Sequence, residues 1–115
     1  MDQKELIKNY NFALKAQKEG KNLEAIKFFE KIIKVEPNHF QTNFFLGSLY
    51  AQNVDFKHAL KFLSKAQSLN PKIPDVHNNL GRIYLRLGQL DKATISLNKA
   101  IEIKPNFADA FCNLG

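Results

Sequence analysis

FQTNFFLGSLYAQNVDFKHALKFLSKAQSLNPKI, residues 40–73, is followed directly by PDVHNNLGRIYLRLGQLDKATISLNKAIEIKPNF, residues 74–107, and the two align with 8 identities. Those identities pair Leu46 with Leu80, Gly47 with Gly81, Tyr50 with Tyr84, Ala59 with Ala93, Leu63 with Leu97, Lys65 with Lys99, Ala66 with Ala100 and Pro71 with Pro105. Average composition would supply roughly 2 matches over such a stretch, so the segments are copies of one unit. The register runs on in both directions. Pro37, Pro71 and Pro105 are spaced by 34 residues, as are Gly47, Gly81 and Gly115, and Ala25, Ala59 and Ala93. A fixed period of this size marks units that stack along an axis, each burying a face that it cannot bury alone.

Within a unit the apolar residues recur at helical spacing. Phe12 and Ala16, then Leu23, Ile26, Phe29 and Ile33, mark the first unit; Leu80, Ile83, Tyr84 and Leu87, then Leu90, Ala93, Leu97 and Ala100, mark the third. Stripes at i, i+3 and i+4 describe two amphipathic helices per unit. The breaks fall where a helix pair needs them. Gly20, Gly88 and, in the middle unit, Asn53 suit the left-handed conformation that ends a first helix. Asn22, Asp55 and Asp91 suit the cap or first turn of a second helix, and each repeat proline then stops it. These signals predict helices at about residues 3–18, 22–35, 39–52, 56–69, 73–86, 90–103 and 107–115 and no strand. Asp2 and Glu5 have the spacing of a capping box at the start of the first. The expected architecture is all-α, a single array over residues 1–115 with units at about 6–39, 40–73 and 74–107 and the opening of a fourth at 108–115.

These residues resemble the tetratricopeptide repeat (TPR) family, whose signature over 34 residues is W-x2-L-G-x2-Y, then A-x3-F, then P. Asn43-x2-Leu46-Gly47-x2-Tyr50 with Ala59-x3-Leu63, Ala66 and Pro71 follows it, as does His77-x2-Leu80-Gly81-x2-Tyr84 with Ala93-x3-Leu97, Ala100 and Pro105. The first unit is looser, with Asn9, Phe12, Ala13, Ala16, Ala25, Phe29, Ile32 and Pro37 in the same places, while Phe111, Leu114 and Gly115 open a fourth. The resemblance covers residues 6–115 and implies a right-handed superhelical solenoid of antiparallel helix pairs, its concave surface lined mainly by first helices. The physical content of the signature is plain. Ala13, Gly47 and Gly81 on first helices, and Ala25, Ala59 and Ala93 on second helices, let paired helices approach to the short end of the ~8–10 Å range. Phe29, Phe62, Leu63, Tyr50 and Tyr84 fill the space that remains.

Composition narrows the function. A chain of 115 residues, 44% hydrophobic and 24% charged, buries roughly 65% of its extended surface and forms a core without staples. One Cys excludes a disulfide framework. No apolar run approaches the ~20 residues of a membrane helix, and Met1 to Tyr10 lacks a signal-peptide apolar stretch, so a cytoplasmic location is expected. The net charge of +6 admits nucleic acid, an anionic surface or an acidic protein as partner. The 17 basic residues comprise 15 Lys and only 2 Arg, whereas base and phosphate readers lean on the guanidinium fork. Lys31, Lys65 and Lys99, like Lys27 and Lys61, recur on the outward side of second helices without interleaved exposed aromatics. They read as a solvated face, and nucleic acid is set aside as a partner.

No pattern for chemistry emerges. His39, His58 and His77 fall on different units without H-x3-H or H-E-x-x-H spacing, and Cys112 has no second thiol. A glycine-rich phosphate loop is missing as well. The expectation is no metal, no cofactor and no catalysis.

Because the period is 34, residues at one place on the first helices form columns. One column is Asn11, Phe45, Asn79 and Asn113. A side-chain amide has a donor and an acceptor side by side, so it can bond the backbone of an extended peptide whatever its sequence. The column is similar to the asparagine ladder of O-GlcNAc transferase TPR regions, interrupted here by Phe45. Its neighbours are Tyr10, Phe44, Asn78 and Cys112; Leu14, Ser48 and Arg82; and Lys18, Gln52 and Arg86. The groove is therefore expected to be aromatic toward the N-terminus and to carry Arg82 and Arg86, four residues apart on one helix face, in the third unit. Such a surface suits a peptide with a hydrophobic anchor and an acidic segment. The carboxylate-clamp members of the family hold chaperone C-termini with Lys, Asn and Arg at places occupied here by Tyr10, Leu14, Phe45, Asp75 and Asn79, which excludes that partner class.

The expected role is a protein-interaction scaffold binding a peptide or helix through Tyr10, Asn11, Phe44, Phe45, Asn78, Asn79, Arg82, Arg86 and Asn113. The alternative is the substrate-targeting or assembly region of a larger, glycosyltransferase-like enzyme. The fourth unit stops within its first helix and leaves Phe107, Phe111 and Leu114 without the second helix that would cover them. Solenoids normally carry a polar cap, so the sequence is expected to be a piece of a longer protein or to form a homo-oligomer through that helix.

Overall fold

The computed structural model describes residues 1–114, which form seven α-helices and no strand: α1 (Gln3–Lys18), α2 (Asn22–Val35), α3 (Phe40–Gln52), α4 (Phe56–Leu69), α5 (Pro74–Arg86), α6 (Leu90–Ile103) and α7 (Ala108–Leu114). Gly115, the third member of the glycine series, lies outside the described residues. Helix α3 starts one residue later than the spacing predicts because His39 stands outside it as the N-cap, its Nδ1 accepting from the Thr42 N–H at 3.3 Å. At α5 it is Pro74 that takes the first helical position, where its missing N–H costs nothing. Asp2 accepts from the Glu5 N–H at 2.8 Å and Asp55 from the His58 N–H at 3.3 Å, so both carboxylates cap helices. Asn22 and Asp91 sit in first turns, behind Lys21 and Gln89 as caps.

The three turns inside the helix pairs are built alike. Gly20 N–H donates to Gln17 O and Lys21 N–H to Ala16 O; Val54 N–H donates to Ala51 O and Asp55 N–H to Tyr50 O; Gly88 N–H donates to Leu85 O and Gln89 N–H to Tyr84 O. This is the Schellman arrangement, which demands a left-handed residue at its centre. The φ values there are 77° at Gly20, 62° at Val54 and 74° at Gly88. The left-handed residue of the middle unit is thus Val54 and not Asn53, which has φ −87°. Residue type favours asparagine, but the hydrogen-bond spacing sets the place. A β-branched side chain in this region costs about 1–2 kcal/mol.

Helix α1 pairs with α2, α3 with α4 and α5 with α6, and each pair packs on the next to give a body of 44 × 24 × 22 Å. The small residues act as expected. Ala13, Ala25, Ala59 and Ala93 are fully buried, and a Cβ on Gly47 or Gly81 would fall 2.4 Å from Leu63 Cγ or 2.6 Å from Leu97 Cγ. Apolar clusters run along the axis, each shared between successive pairs: Phe29, Ile32, Leu46 and Leu49 in the first, Leu63, Val76, Leu80 and Ile83 in the second, Leu97, Ala100 and Ala110 in the third. Phe12, Leu23, Leu87 and Leu90 depart from the expected stripes and are exposed. Leu23 and Leu90 start second helices and Leu87 ends a first one, so all three lie at the turn edge of the array. Phe12 lies outside the core and against Phe28, with ring centroids 5.5 Å apart.

The position of the signature Trp is occupied by polar residues with one shared task. Asn43 Nδ2 donates to Pro37 O at 3.1 Å and to His39 O at 2.9 Å. Thirty-four residues on, His77 Nε2 meets Pro71 O at 2.7 Å. Both side chains are buried, and each bonds the carbonyl of the repeat proline at the junction before it.

Candidate functional site

An open cleft of about 550 Å3 lies where three successive units present their first helices. Helix α3 contributes Ser48, Ala51 and Gln52, the following turn Val54, and α4 its first residue, Phe56. From α5 come Asn79, Arg82, Ile83, Leu85 and Arg86, and from α7 Asn113. Ser48 is small, which leaves the room that a larger residue would fill; its hydroxyl donates to Phe44 O at 3.0 Å and accepts from Asn79 Nδ2 at 3.2 Å. Asn113 Nδ2 donates to Asn78 Oδ1 at 2.9 Å, and Gln52 Oε1 accepts from Asn22 Nδ2 at 3.0 Å. These bonds tie Asn79 to Ser48, Asn113 to Asn78 and Gln52 to Asn22, each between neighbouring units.

The electrostatics are one-sided. Arg82 and Arg86 are exposed, pair with no carboxylate among the described residues, and share the cleft with no Asp or Glu. The Arg86 guanidinium lies 5.8 Å from the centroid of the Phe56 ring, which orients it while leaving its in-plane donors free. Charge-assisted, bidentate bonds to a carboxylate are the chemistry this arrangement offers.

Of the residues expected in the groove, the structure brings Asn79, Arg82, Arg86 and Asn113 together in the cleft. Tyr10, Asn11, Phe44, Phe45 and Asn78 lie outside its lining. Tyr10 packs edge-on against Phe29 and His39 at 6.0 and 5.6 Å, and burial pushes its phenol pKa up. Phe45 stacks on Phe29 at 5.5 Å and Phe44 on Phe40 at 6.1 Å, so these rings fill the N-terminal half of the surface. Asn78 is buried, and Asn11 is exposed on α1. Of the asparagine column, Asn79 and Asn113 line this cleft. At the other end Phe107 packs against Leu97, Ala100 and Ala110, whereas Phe111 and Leu114 are 50% and 40% exposed.

A sequence profile of the tetratricopeptide repeat family matches residues 10–74, a second one residues 62–94, and a TPR repeat profile residues 81–115. The chain belongs to the tetratricopeptide repeat family. The TPR fold is matched by solved structures. A mutant O-GlcNAc transferase of Thermobaculum terrenum is similar with TM-score 0.86 and 24% identity, over 96% of this chain and 21% of that one. The first TPR of Spaghetti (RPAP3) bound to an HSP90 peptide gives TM-score 0.90 and 23% identity, over 99% and 90%. MamA gives TM-score 0.91 and 25% identity, over 95% and 64%. This TPR chain therefore spans about a fifth of the transferase and just under two thirds of MamA. No curated protein matches the sequence.

Five cleft residues of this TPR array stand outside the four columns: Ala51, Ile83 and Leu85 on first helices, Val54 in the turn and Phe56 at the start of α4. The signal for Val54 is present in the register, which sets it against Gly20 and Gly88. Among the described residues no helix is long and apolar enough to cross a membrane, and no group of three or more His, Cys, Asp or Glu gathers to hold a metal. Lys27, Lys31, Lys61, Lys65 and Lys99 are all exposed, with Lys31 and Lys61 lying over the Phe28 and Phe62 rings at 5.4 and 5.3 Å.

Proposed function

We propose that the chain is a protein-interaction scaffold whose cleft receives an extended peptide carrying an acidic segment. The observation that carries this reading is the convergence of Arg82 and Arg86 with the Asn79 and Asn113 amides on one cleft whose lining, among the described residues, has no Asp or Glu. The guanidinium groups take the acidic side chains, and the amides take the peptide backbone. Attraction between an exposed cationic cleft and an anionic peptide weakens as salt rises. The test is fluorescence anisotropy with labelled decapeptides, glutamate-rich against neutral, on the wild type and on Arg82→Glu with Arg86→Glu. The wild type is expected to prefer the acidic peptides and the double variant to lose that preference; equal binding by both proteins refutes the groove chemistry. The alternative role, substrate targeting for a larger glycosyltransferase-like enzyme, uses the same cleft and is tested by whether a glycosyltransferase-like domain shares the polypeptide.

Self-association through α7 is a second proposal, favoured by the exposed Phe111 and Leu114 side chains. Light scattering tests it: a mass above the monomer that Phe111→Ser abolishes supports it, and a monomer at every concentration refutes it.

A further inference from the structure

We infer that Val54 is kept at the cleft as a ligand contact, and that the bound peptide carries an apolar side chain two residues from an Asp or Glu. This rests on the groove reading and adds the residue that accompanies the acidic one.

The three equivalent turns supply the argument. Positions 20, 54 and 88 share one hydrogen-bond pattern and one left-handed conformation, and two of them hold glycine. The third holds valine, a β-branched residue that strongly disfavours a φ of 62°. Space does not explain the difference, because a Cβ at Gly20 or Gly88 would meet nothing within 4 Å. Packing does not explain it either, because Val54 is 61% exposed and returns little to the fold. What sets Val54 apart is its surroundings: alone of the three it lines the cleft.

There Val54 joins Ala51, Phe56 and Leu85 on an apolar wall. The Arg86 guanidinium stands 5.8 Å from the Phe56 ring, so the wall and a cation are neighbours. Alternate residues of an extended chain point the same way and lie ~6.7 Å apart. An apolar side chain on the wall therefore puts the side chain two residues along within reach of Arg86. The chemistry recognised is an extended segment with a Val, Leu, Ile or Met and an Asp or Glu at i and i+2.

The experiment is selection of phage-displayed random decapeptides on the full chain, on Val54→Gly and on Arg82→Glu with Arg86→Glu, with urea unfolding of each protein. Wild-type selections are expected to enrich the i, i+2 pairing. Val54→Gly is expected to keep the acidic preference, lose the apolar one, and bind the selected peptides roughly tenfold more weakly, as fits the loss of one buried aliphatic contact. Val54→Asn, which tolerates the left-handed turn, is expected to show the same loss. Val54→Gly should unfold at no lower urea concentration than the wild type; earlier unfolding shows that the valine serves the fold and overturns the inference. Unchanged apolar preference in Val54→Gly and Val54→Asn overturns it too, while the groove reading stands. Absence of any enrichment, or enrichment indifferent to the double arginine variant, sinks the groove reading and the inference with it.

Discussion

A single methyl group added at residue 47 tests whether small residues set the approach of the paired helices. In Gly47→Ala the new Cβ would fall 2.4 Å from Leu63 Cγ, 2.9 Å from Leu63 Cδ2 and 3.1 Å from the Leu63 backbone nitrogen. Ordinary contacts lie at ~3.5–4.0 Å, so the shortfall exceeds ~1 Å on the nearest atom. Leu63 is fully buried, and the contact to its backbone nitrogen cannot be relieved by a rotamer change. The two helices must separate. Overpacking of this kind costs about 1–3 kcal/mol, while Ala improves on Gly in a helix by about 1 kcal/mol. The net is a loss of about 0–2 kcal/mol, and the backbone contact at 3.1 Å places Gly47→Ala in the upper half of that range, read as a lower urea midpoint at unchanged slope in far-UV circular dichroism. At Gly81 the contacts of 2.6 Å are all to the Leu97 side chain and the nearest backbone atom is 3.4 Å away, so Gly81→Ala should lose less. Leu63→Ala removes the clashing atoms, so its cost and that of Gly47→Ala should sum to more than the cost of the double variant. Gly47→Ala as stable as the wild type, or strict additivity in the double variant, would refute the reasoning.

Three further outcomes follow from the side-chain geometry. His77→Asn should retain most of the stability, since Asn43 does the same task one unit earlier, whereas His77→Leu removes the bond to Pro71 O and should lower the stability measured by urea unfolding by about 1 kcal/mol. The His58 ring donates to Asp55 at 2.9 Å and the His58 backbone N–H bonds it too, so Asp55 titrates below its ordinary value of 3.8. Its contribution is whole above that value and vanishes as pH falls through the lowered one, so the stability gap between the wild type and Asp55→Ala should close in that acid range. Burial, then the Glu30 charge and a hydrogen bond to Glu30, push the Tyr50 phenol up to about 12 from 10.0. The neutral phenol favours the fold below pH 10 and that contribution is lost as pH rises toward 12, so the wild type should lose more stability across this window than Tyr50→Phe.

The repeat register makes the helix positions legible, because Pro, Gly and Ala recur at places where the backbone admits few alternatives. Periodicity stops short at the edges. Leu23 and Leu90 satisfy the helical pattern yet stand exposed at the turn edge, and a period records which residues share a face without recording whether a neighbour covers it. The groove shows the same limit. Columns of the register identify positions on one surface, but side-chain size decides which part stays open. Tyr10, Phe44 and Phe45 reach neighbouring aromatic rings and fill their half of the surface, while Ser48, Asn79 and Asn113 leave the cleft beside them.

Val54 is where register and residue type disagree, and the disagreement is informative. A reading by residue type selects Asn53 for the left-handed turn, since asparagine tolerates it and valine does not. The alignment of position 54 with Gly20 and Gly88 selects valine, and the hydrogen bonds follow the alignment. A rule of local conformation is thus broken at one of three equivalent turns, and that turn borders the cleft. Natural sequences keep local and global preferences in agreement except where something other than folding is served. An exposed, strained valine that shares the cleft with two arginines fits that exception.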